Sequence, residues 1–184
     1  MSKVLIAYST GEGQTAKICR ALSRQFQEAS HEVELSELQS HHPELNVQRF
    51  DAIIVAASVH AGKHQKSAAH FVTNNIDVLR SKPTAFVSVG LAVVATEAAG
   101  RKRADEQVSS FLKQVDWEPD LIETLGGAFR YSEFSAIKRW IFRLSQRLFR
   151  KDLDRQGWPD VTADNEFTDW DELRRFGTAF AAKL

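Results

Sequence analysis

Lys3-Val4-Leu5-Ile6-Ala7-Tyr8-Ser9-Thr10-Gly11-Glu12-Gly13-Gln14-Thr15, followed by a helical run from Ala16, reads as a short apolar strand passing through a turn into a helix. Such a junction gathers backbone N–H groups, hydroxyls and the positive end of a helix dipole at one point, which is what a phosphate requires. Ser9, Thr10 and Thr15 supply hydroxyls, and Gly11 and Gly13 let the backbone close on an anion without a Cβ in the way. The turn has no Lys, unlike a Walker loop, and it lacks the third Gly of the dinucleotide fingerprint. A hydroxyl-rich turn without a cation suits a phosphate monoester in a neutral cradle. A capped helix after a buried strand explains the same residues with no ligand, and the local pattern leaves both readings open.

Working outward, 184 residues are enough for a full core, and residues 1–184 are read as a single domain. The chain has 24 basic and 24 acidic residues, so net charge points to no polyanionic partner. No run approaches the ~20 apolar residues of a membrane span. With a strand from residue 3 no signal peptide is expected, and the lone Cys19 forms no internal disulfide; a cytoplasmic protein is expected. Cys19 falls in the first helix and reads as a small buried apolar residue.

The rest of the chain alternates strand and helix. After a strand at 3–9, a helix over 13–29 sets Ile18, Leu22 and Phe26 on one face. His31-Glu32-Val33-Glu34-Leu35 alternates as a half-exposed strand, and His41-His42-Pro43 reads as a polar loop. Ala52-Ile53-Ile54-Val55-Ala56-Ala57 and Thr84-Ala85-Phe86-Val87-Ser88-Val89 are continuous apolar runs, as in parallel strands buried on both faces. A turn over 58–63 and a helix over 65–80 lie between them. A helix over 103–115 turns Val108, Phe111, Leu112 and Val115 inward, and a last strand runs from Leu121 to Phe129 through Gly126-Gly127. The final helix, 169–182, has Trp170, Leu173, Phe176 and Phe180 inside, with Thr168 and Asp171 as its capping box. Capping then accounts for Asp169 and Asp171 better than a catalytic carboxylate pair does.

Five strands with intervening helices give an α/β, doubly wound five-stranded parallel sheet with helices on both faces. Ligands in such sheets lie beyond the carboxyl ends of the strands, at the switch of strand order. With order 2-1-3-4-5, the turns at 9–15, 58–63 and 88–100 rim one crevice. The first would take a phosphate, and the other two a flat ring system.

With those turns in place the chain resembles the flavodoxin-like family over nearly its whole length. The resemblance implies FMN held non-covalently. Its phosphate would lie at Ser9, Thr10, Gly11, Glu12, Gly13, Gln14 and Thr15. Its isoalloxazine would lie near Ser58, Val59, His60, Ala61 and Gly62, and near Ser88, Val89, Gly90 and Leu91. The second loop has no Trp, Tyr or Phe to stack on the ring; His60 is the flat side chain there. Within the family, the chain is similar to the bacterial menaquinone-dependent protoporphyrinogen oxidase group. The matching pieces are Tyr8-Ser9-Thr10 with Gly13-Gln14-Thr15, Ala57-Ser58-Val59 with Gly62, Gly127-Ala128-Phe129-Arg130-Tyr131, and Thr168-Asp169-Trp170. That likeness implies an enzyme of heme biosynthesis that removes electrons from protoporphyrinogen IX and passes them to menaquinone or another quinone. Arg101, Lys102, Arg103 or Arg130 would meet the propionates of the substrate. No catalytic acid or base is identified. An electron-carrying flavodoxin, and a flavodoxin-like module without flavin, are the alternatives.

Residues 130–167 form an insertion at the last strand, longer than an ordinary connection. Between Phe134 and Lys151 there are six Lys or Arg and no acid. On a helix Phe134, Ile137, Trp140, Ile141, Leu144 and Leu148 gather on one side, and Arg139, Arg143, Arg147 and Arg150 on the other. This suits a helix lying on an anionic membrane surface, such as the cytoplasmic face of an inner membrane, where each cation contributes about 1 kcal/mol. Packing on the protein itself, or a homodimer interface, explains the same pattern. Nucleic acid is not expected, because no docking motif accompanies the basic face. Trp158-Pro159 is expected to anchor the returning end. No metal site is expected: His60 and His64 are four apart, but Gly62 lies between them and no third ligand is placed. Ser9 and Ser88 lack a Gly-x-Ser-x-Gly elbow, which argues against a hydrolase.

Overall fold

The computed structural model describes residues 1–39, 45–92, 98–129 and 165–184. The elements are β1 (Lys3–Ser9), α1 (Gln14–Glu28), β2 (Glu32–Glu37), β3 (Ala52–His60), β4 (Lys63–His64), α2 (Lys66–Asn74) and α3 (Ile76–Arg80). They continue with β5 (Thr84–Gly90), α4 (Ala98–Val115), β6 (Leu121–Gly126), β7 (Ala128–Phe129), β8 (Asn165–Glu166) and α5 (Trp170–Ala181). The main sheet has the order β2-β1-β3-β5-β6, all parallel. Counting the five parallel strands alone, that is the expected 2-1-3-4-5.

Continuous apolar runs in β1, β3 and β5 serve two cores, because successive side chains leave opposite faces. Val4, Ile6 and Tyr8 pack with Ile18, Leu22 and Phe26 of α1 and Leu173, Phe176 and Phe180 of α5. Leu5, Ala7 and Phe86 pack on the other face with Ala68 and Val72 of α2, Leu79 of α3, and Val108 and Phe111 of α4. Cys19 is fully buried in the first of these cores, and burial pushes its thiol pKa up, so it is an inert apolar filler.

Register sets the carboxyl ends of the strands side by side. Ser9 pairs with Ala57, Ser58 with Val89, and Gly90 with Gly126. The segments beyond these ends therefore start at one edge of the sheet.

The structure departs from the sequence reading at five places. First, β3 does not end at Ala57; it runs on to His60 and turns back through Ala61-Gly62 into β4, where the sequence suggested an irregular turn. Second, the helix expected over 65–80 is two helices separated at Asn75, whose side-chain N–H₂ donates to the Phe71 carbonyl at 2.8 Å. Third, α4 starts at Ala98 rather than 103: Gly100 disguised the start of a helix that Ala98 and Ala99 favour. Fourth, the last strand breaks at Gly127, and β7 beyond it pairs antiparallel with β8. Fifth, α5 is capped by Asp169, which accepts from the N–H groups of Asp171 and Glu172, both at 2.9 Å. Thr168 is not the cap; its hydroxyl donates to the Gly126 carbonyl at 2.7 Å. The polar loop expected at His41-His42-Pro43, the anchor expected at Trp158-Pro159 and the basic helix expected at 134–150 lie outside the described residues.

The cap reassignment has a direct test. Asp169→Ala should cost about 1 kcal/mol in urea unfolding, and Asp169→Asn should recover most of it. Unchanged stability in Asp169→Ala would contradict the assignment.

Candidate functional site

The turn after β1 is built by Thr10 and Gly13. Gly13 has φ of 83°, a conformation glycine adopts at little cost, and its N–H donates to Thr10 Oγ1 at 3.0 Å. The Thr10 N–H donates in turn to Gln39 Oε1 at 2.8 Å. Among the described residues no side chain caps the start of α1, and its first turn holds no acid. The positive end of this helix thus keeps its leading N–H groups for an outside acceptor.

Two buried polar atoms at that point have no partner among the described residues. Thr15 is 1% exposed and its hydroxyl makes no hydrogen bond; Gln14 is 4% exposed and its Oε1 makes none. An unpaired buried polar group costs about 1–3 kcal/mol. The Gln14 amide is held in one orientation: Nε2 donates to Thr168 Oγ1 at 2.8 Å, and the Thr168 proton goes to the Gly126 carbonyl. Thr168 can therefore only accept from Gln14, and Oε1 is left as a free acceptor.

Gln14 and Thr15 line a cleft of about 420 Å³. The first turn contributes Thr10, Gly11, Glu12, Gln14 and Thr15. The β3–β4 hairpin contributes Ser58, Val59, His60, Ala61 and Gly62. Val89, Gly90, Leu91 and Ala92 come from the end of β5, with Arg103 and Gln107 from α4 and Gly127 and Ala128 at the strand break.

Three residues named from sequence do not line it. The Ser9 hydroxyl is 2.8 Å from that of Ser67, the Ser88 hydroxyl is 2.9 Å from His64 Nε2, and Gly13 serves the turn itself. Ala92 falls in the 88–100 turn expected to rim the cleft; sequence reading did not assign Gln107, Gly127 or Ala128 to it, and it considered Arg103 for substrate alone. The Gly126-Gly127 pair was the available signal, since glycine inside a strand often marks a break or a close approach. Both occur here: the Gly127 N–H donates to the Gly90 carbonyl at 3.1 Å.

Backbone geometry shapes the walls. Ala61 and Gly62 have φ of 49° and 79°, the left-handed pair that a two-residue hairpin demands. Ala61 adopts this at a cost of about 1 kcal/mol. At Gly90 a Cβ would sit 3.2 Å from that of Val59, so glycine lets the end of β5 lie flat beside the hairpin. Among the described lining residues none is Phe, Tyr or Trp, so any ring held here meets backbone, aliphatic groups and His60.

The hairpin is pinned from behind by His64. Its ring lies 5.2 Å from that of Phe86 and 4.9 Å from that of Phe111. Register pairs Val59 with His64 and His60 with Lys63, which sends His60 and His64 to opposite faces of the ribbon. They cannot chelate one ion together, and no cluster of potential metal ligands occurs among the described residues. Between α1, β8 and α5, Lys17 donates to Glu166 Oε2 at 2.6 Å, Trp170 Nε1 donates to Glu166 Oε1 at 3.0 Å, and the Lys17 ammonium lies 5.1 Å from the Trp170 ring centre. The Lys17 bond holds the Glu166 carboxyl below its usual pKa.

With this geometry in hand, the comparisons with known proteins define first a class and then a family. Among solved structures the chain matches oxidised flavodoxin 1 of Bacillus cereus with a TM-score of 0.57 and 13% identity, covering 100% of this chain and 99% of that one. A Streptococcus flavodoxin gives 0.56 and 13%, with all of both chains covered. At such identities the likeness defines the fold: a flavodoxin-like α/β sandwich. A family model described as a flavodoxin domain matches residues 5–155, and the chain belongs to that family. Escherichia coli K12 protoporphyrinogen IX dehydrogenase (quinone) is 27% identical over 179 residues, 97% of this chain and 94% of that protein. The Leishmania major protein of the same name is 24% identical over 181 residues, 98% of this chain and 75% of its own length. No helix among the described residues is long and apolar enough to cross a membrane.

His64 generates a pH prediction. Burial lowers its pKa from the ordinary 6.5 to about 4, so the folded protein keeps the ring neutral. Below 6.5 the unfolded chain takes up a proton there and the folded one does not, so stability falls between 6.5 and about 4. Urea unfolding near pH 7 and near pH 4.5 should show His64→Gln losing roughly 2–3 kcal/mol less than the parent over that interval. Equal losses would mean that the folded ring takes up its proton as readily as the unfolded one.

Proposed function

We propose that the protein binds FMN in this cleft and uses it to dehydrogenate protoporphyrinogen IX, with a quinone as electron acceptor. The observation that carries the cofactor is the pair of unpartnered polar atoms, Thr15 Oγ1 and Gln14 Oε1, buried at the uncapped start of α1. A phosphate monoester would accept from the Thr15 hydroxyl and the leading N–H groups, and a ligand hydroxyl would donate to Gln14 Oε1. The residues present fit the group. Thr10 and Gly13 hold the cradle open, and the hairpin and the 89–92 segment would bracket the ring, with Gly90 and Gly127 keeping that side free of side chains. Bound FMN supplies two-electron redox chemistry, three rounds of which separate a porphyrinogen from a porphyrin.

The substrate class rests on end-to-end similarity to two protoporphyrinogen IX dehydrogenases. The basic, apolar-faced stretch at 134–150 agrees with it, because a lipid-soluble quinone is met at a membrane surface. The protein's share of the work is to exclude water from the ring, fix its orientation and leave one edge open to a bulky substrate.

Protein supplemented with FMN should turn yellow, retain the flavin through gel filtration, and oxidise protoporphyrinogen IX with a menaquinone analogue. Protein that stays colourless defeats the cofactor assignment; flavin-loaded protein without turnover defeats the oxidase reading. Thr15→Val should weaken FMN binding about 30-fold, roughly 2 kcal/mol, yet leave the melting temperature of the flavin-free protein unchanged or raised, since it removes an unpaired buried hydroxyl. Unaltered FMN affinity in Thr15→Val would show that the hydroxyl does not meet the phosphate.

A further inference from the structure

Helix α4 carries Arg101, Lys102 and Arg103 in its first two turns, where the helix dipole disfavours positive charge. The three are differently placed. Lys102 lies 3.9 Å from Glu106, one turn further along. Arg103 lines the cleft, and its guanidinium makes no hydrogen bond, ion pair or ring contact with the described residues. Gln107, four residues on and so on the same helical face, lines the cleft too. Its Nε2 reaches the hairpin tip: a Cβ placed on Gly62 would lie 4.0 Å from it. Glu12 is the one acid among the described lining residues, and it belongs to the first turn.

The cleft therefore offers two anion-seeking features of different chemistry. One is the set of hydroxyl and backbone N–H groups at the start of α1. The other is the exposed Arg103 guanidinium, with Gln107 one turn along the same helix. We propose that Arg103, assisted by Gln107, binds a carboxylate arm of the substrate and thereby selects ring substrates that carry such arms. This rests on the function proposed above and assigns to one residue a role that the sequence left open among four. A guanidinium offers two parallel N–H donors to a carboxylate, and the Gln107 amide adds a neutral donor next to it. Solvent exposure of Arg103 suits a site that must release a large product.

The test uses FMN-saturated protein and two probes, protoporphyrin IX and its dimethyl ester, with binding read by fluorescence. Arg103→Gln should weaken binding of the diacid about tenfold, Arg103→Glu should weaken it further, and Arg103→Lys should retain part of the affinity. The ester should bind the parent and all three variants alike, and FMN affinity should not change. Equal weakening for diacid and ester, or no change for either, would overturn the proposal. So would a parallel loss of FMN affinity, because the guanidinium would then serve the cofactor phosphate. If the flavin-loaded parent binds neither porphyrin, the oxidase reading falls and this proposal falls with it. If the parent oxidises protoporphyrinogen IX and Arg103→Gln binds the diacid equally well, the carboxylate site alone is refuted.

Discussion

The register of the central strands is the constraint that governs the molecule. Ser9 beside Ala57, Ser58 beside Val89 and Gly90 beside Gly126 bring four chain segments to one edge of the sheet at one level. A slip of one residue in any pair would invert which side chains enter which core. Continuous burial of β1, β3 and β5 on both faces makes such a slip costly. The cleft is thus a by-product of core packing. Strands aligned by Leu5, Ile6, Ile53, Ile54 and Phe86 must end together, and the loops leaving their carboxyl ends must surround a hollow.

Within that hollow the protein tolerates arrangements that do not favour its own stability. Thr15 and Gln14 bury polar atoms without partners, Ala61 holds a left-handed conformation, and α1 begins without a side-chain cap. Each is unfavourable by itself, and all three line or adjoin one volume. A ligand with a phosphate, hydroxyls and a flat ring would relieve the first and third directly. The Gln14–Thr168–Gly126 chain of hydrogen bonds adds a mechanical link, joining the start of α1 to the break after β6 and to the approach to α5. The chain returning at β8 is thereby fastened beside the start of α1, and Lys17, Glu166 and Trp170 reinforce the same join.

The sheet and its helices were legible because their signals are strong and local: unbroken apolar runs for buried strands, four-residue spacing for α1 and α5. The first turn was legible through its hydroxyls and glycines. The features that escaped depended on distant partners. The hairpin at Ala61-Gly62 is invisible locally, because alanine gives no hint of a positive φ; it is held by His64 docking against Phe86 and Phe111. The cap passed from Thr168 to Asp169 because Thr168 bonds to Gly126, 42 residues away. Gln107 is an ordinary surface residue by sequence and Arg103 one of four candidate cations; the placement of α4 beside the cleft is what sets both in its lining.

The central claim is that the uncapped helix end and the unpaired Thr15 hydroxyl grip a phosphate monoester. The most direct measurement is the ratio of dissociation constants for riboflavin and FMN, obtained by quenching of flavin fluorescence. The two ligands share the ring and the ribityl chain and differ in the phosphate. Charge-assisted hydrogen bonds to that group predict FMN binding at least roughly 100-fold more tightly. Equal affinities would contradict the account, because the ring would then bind without the cradle.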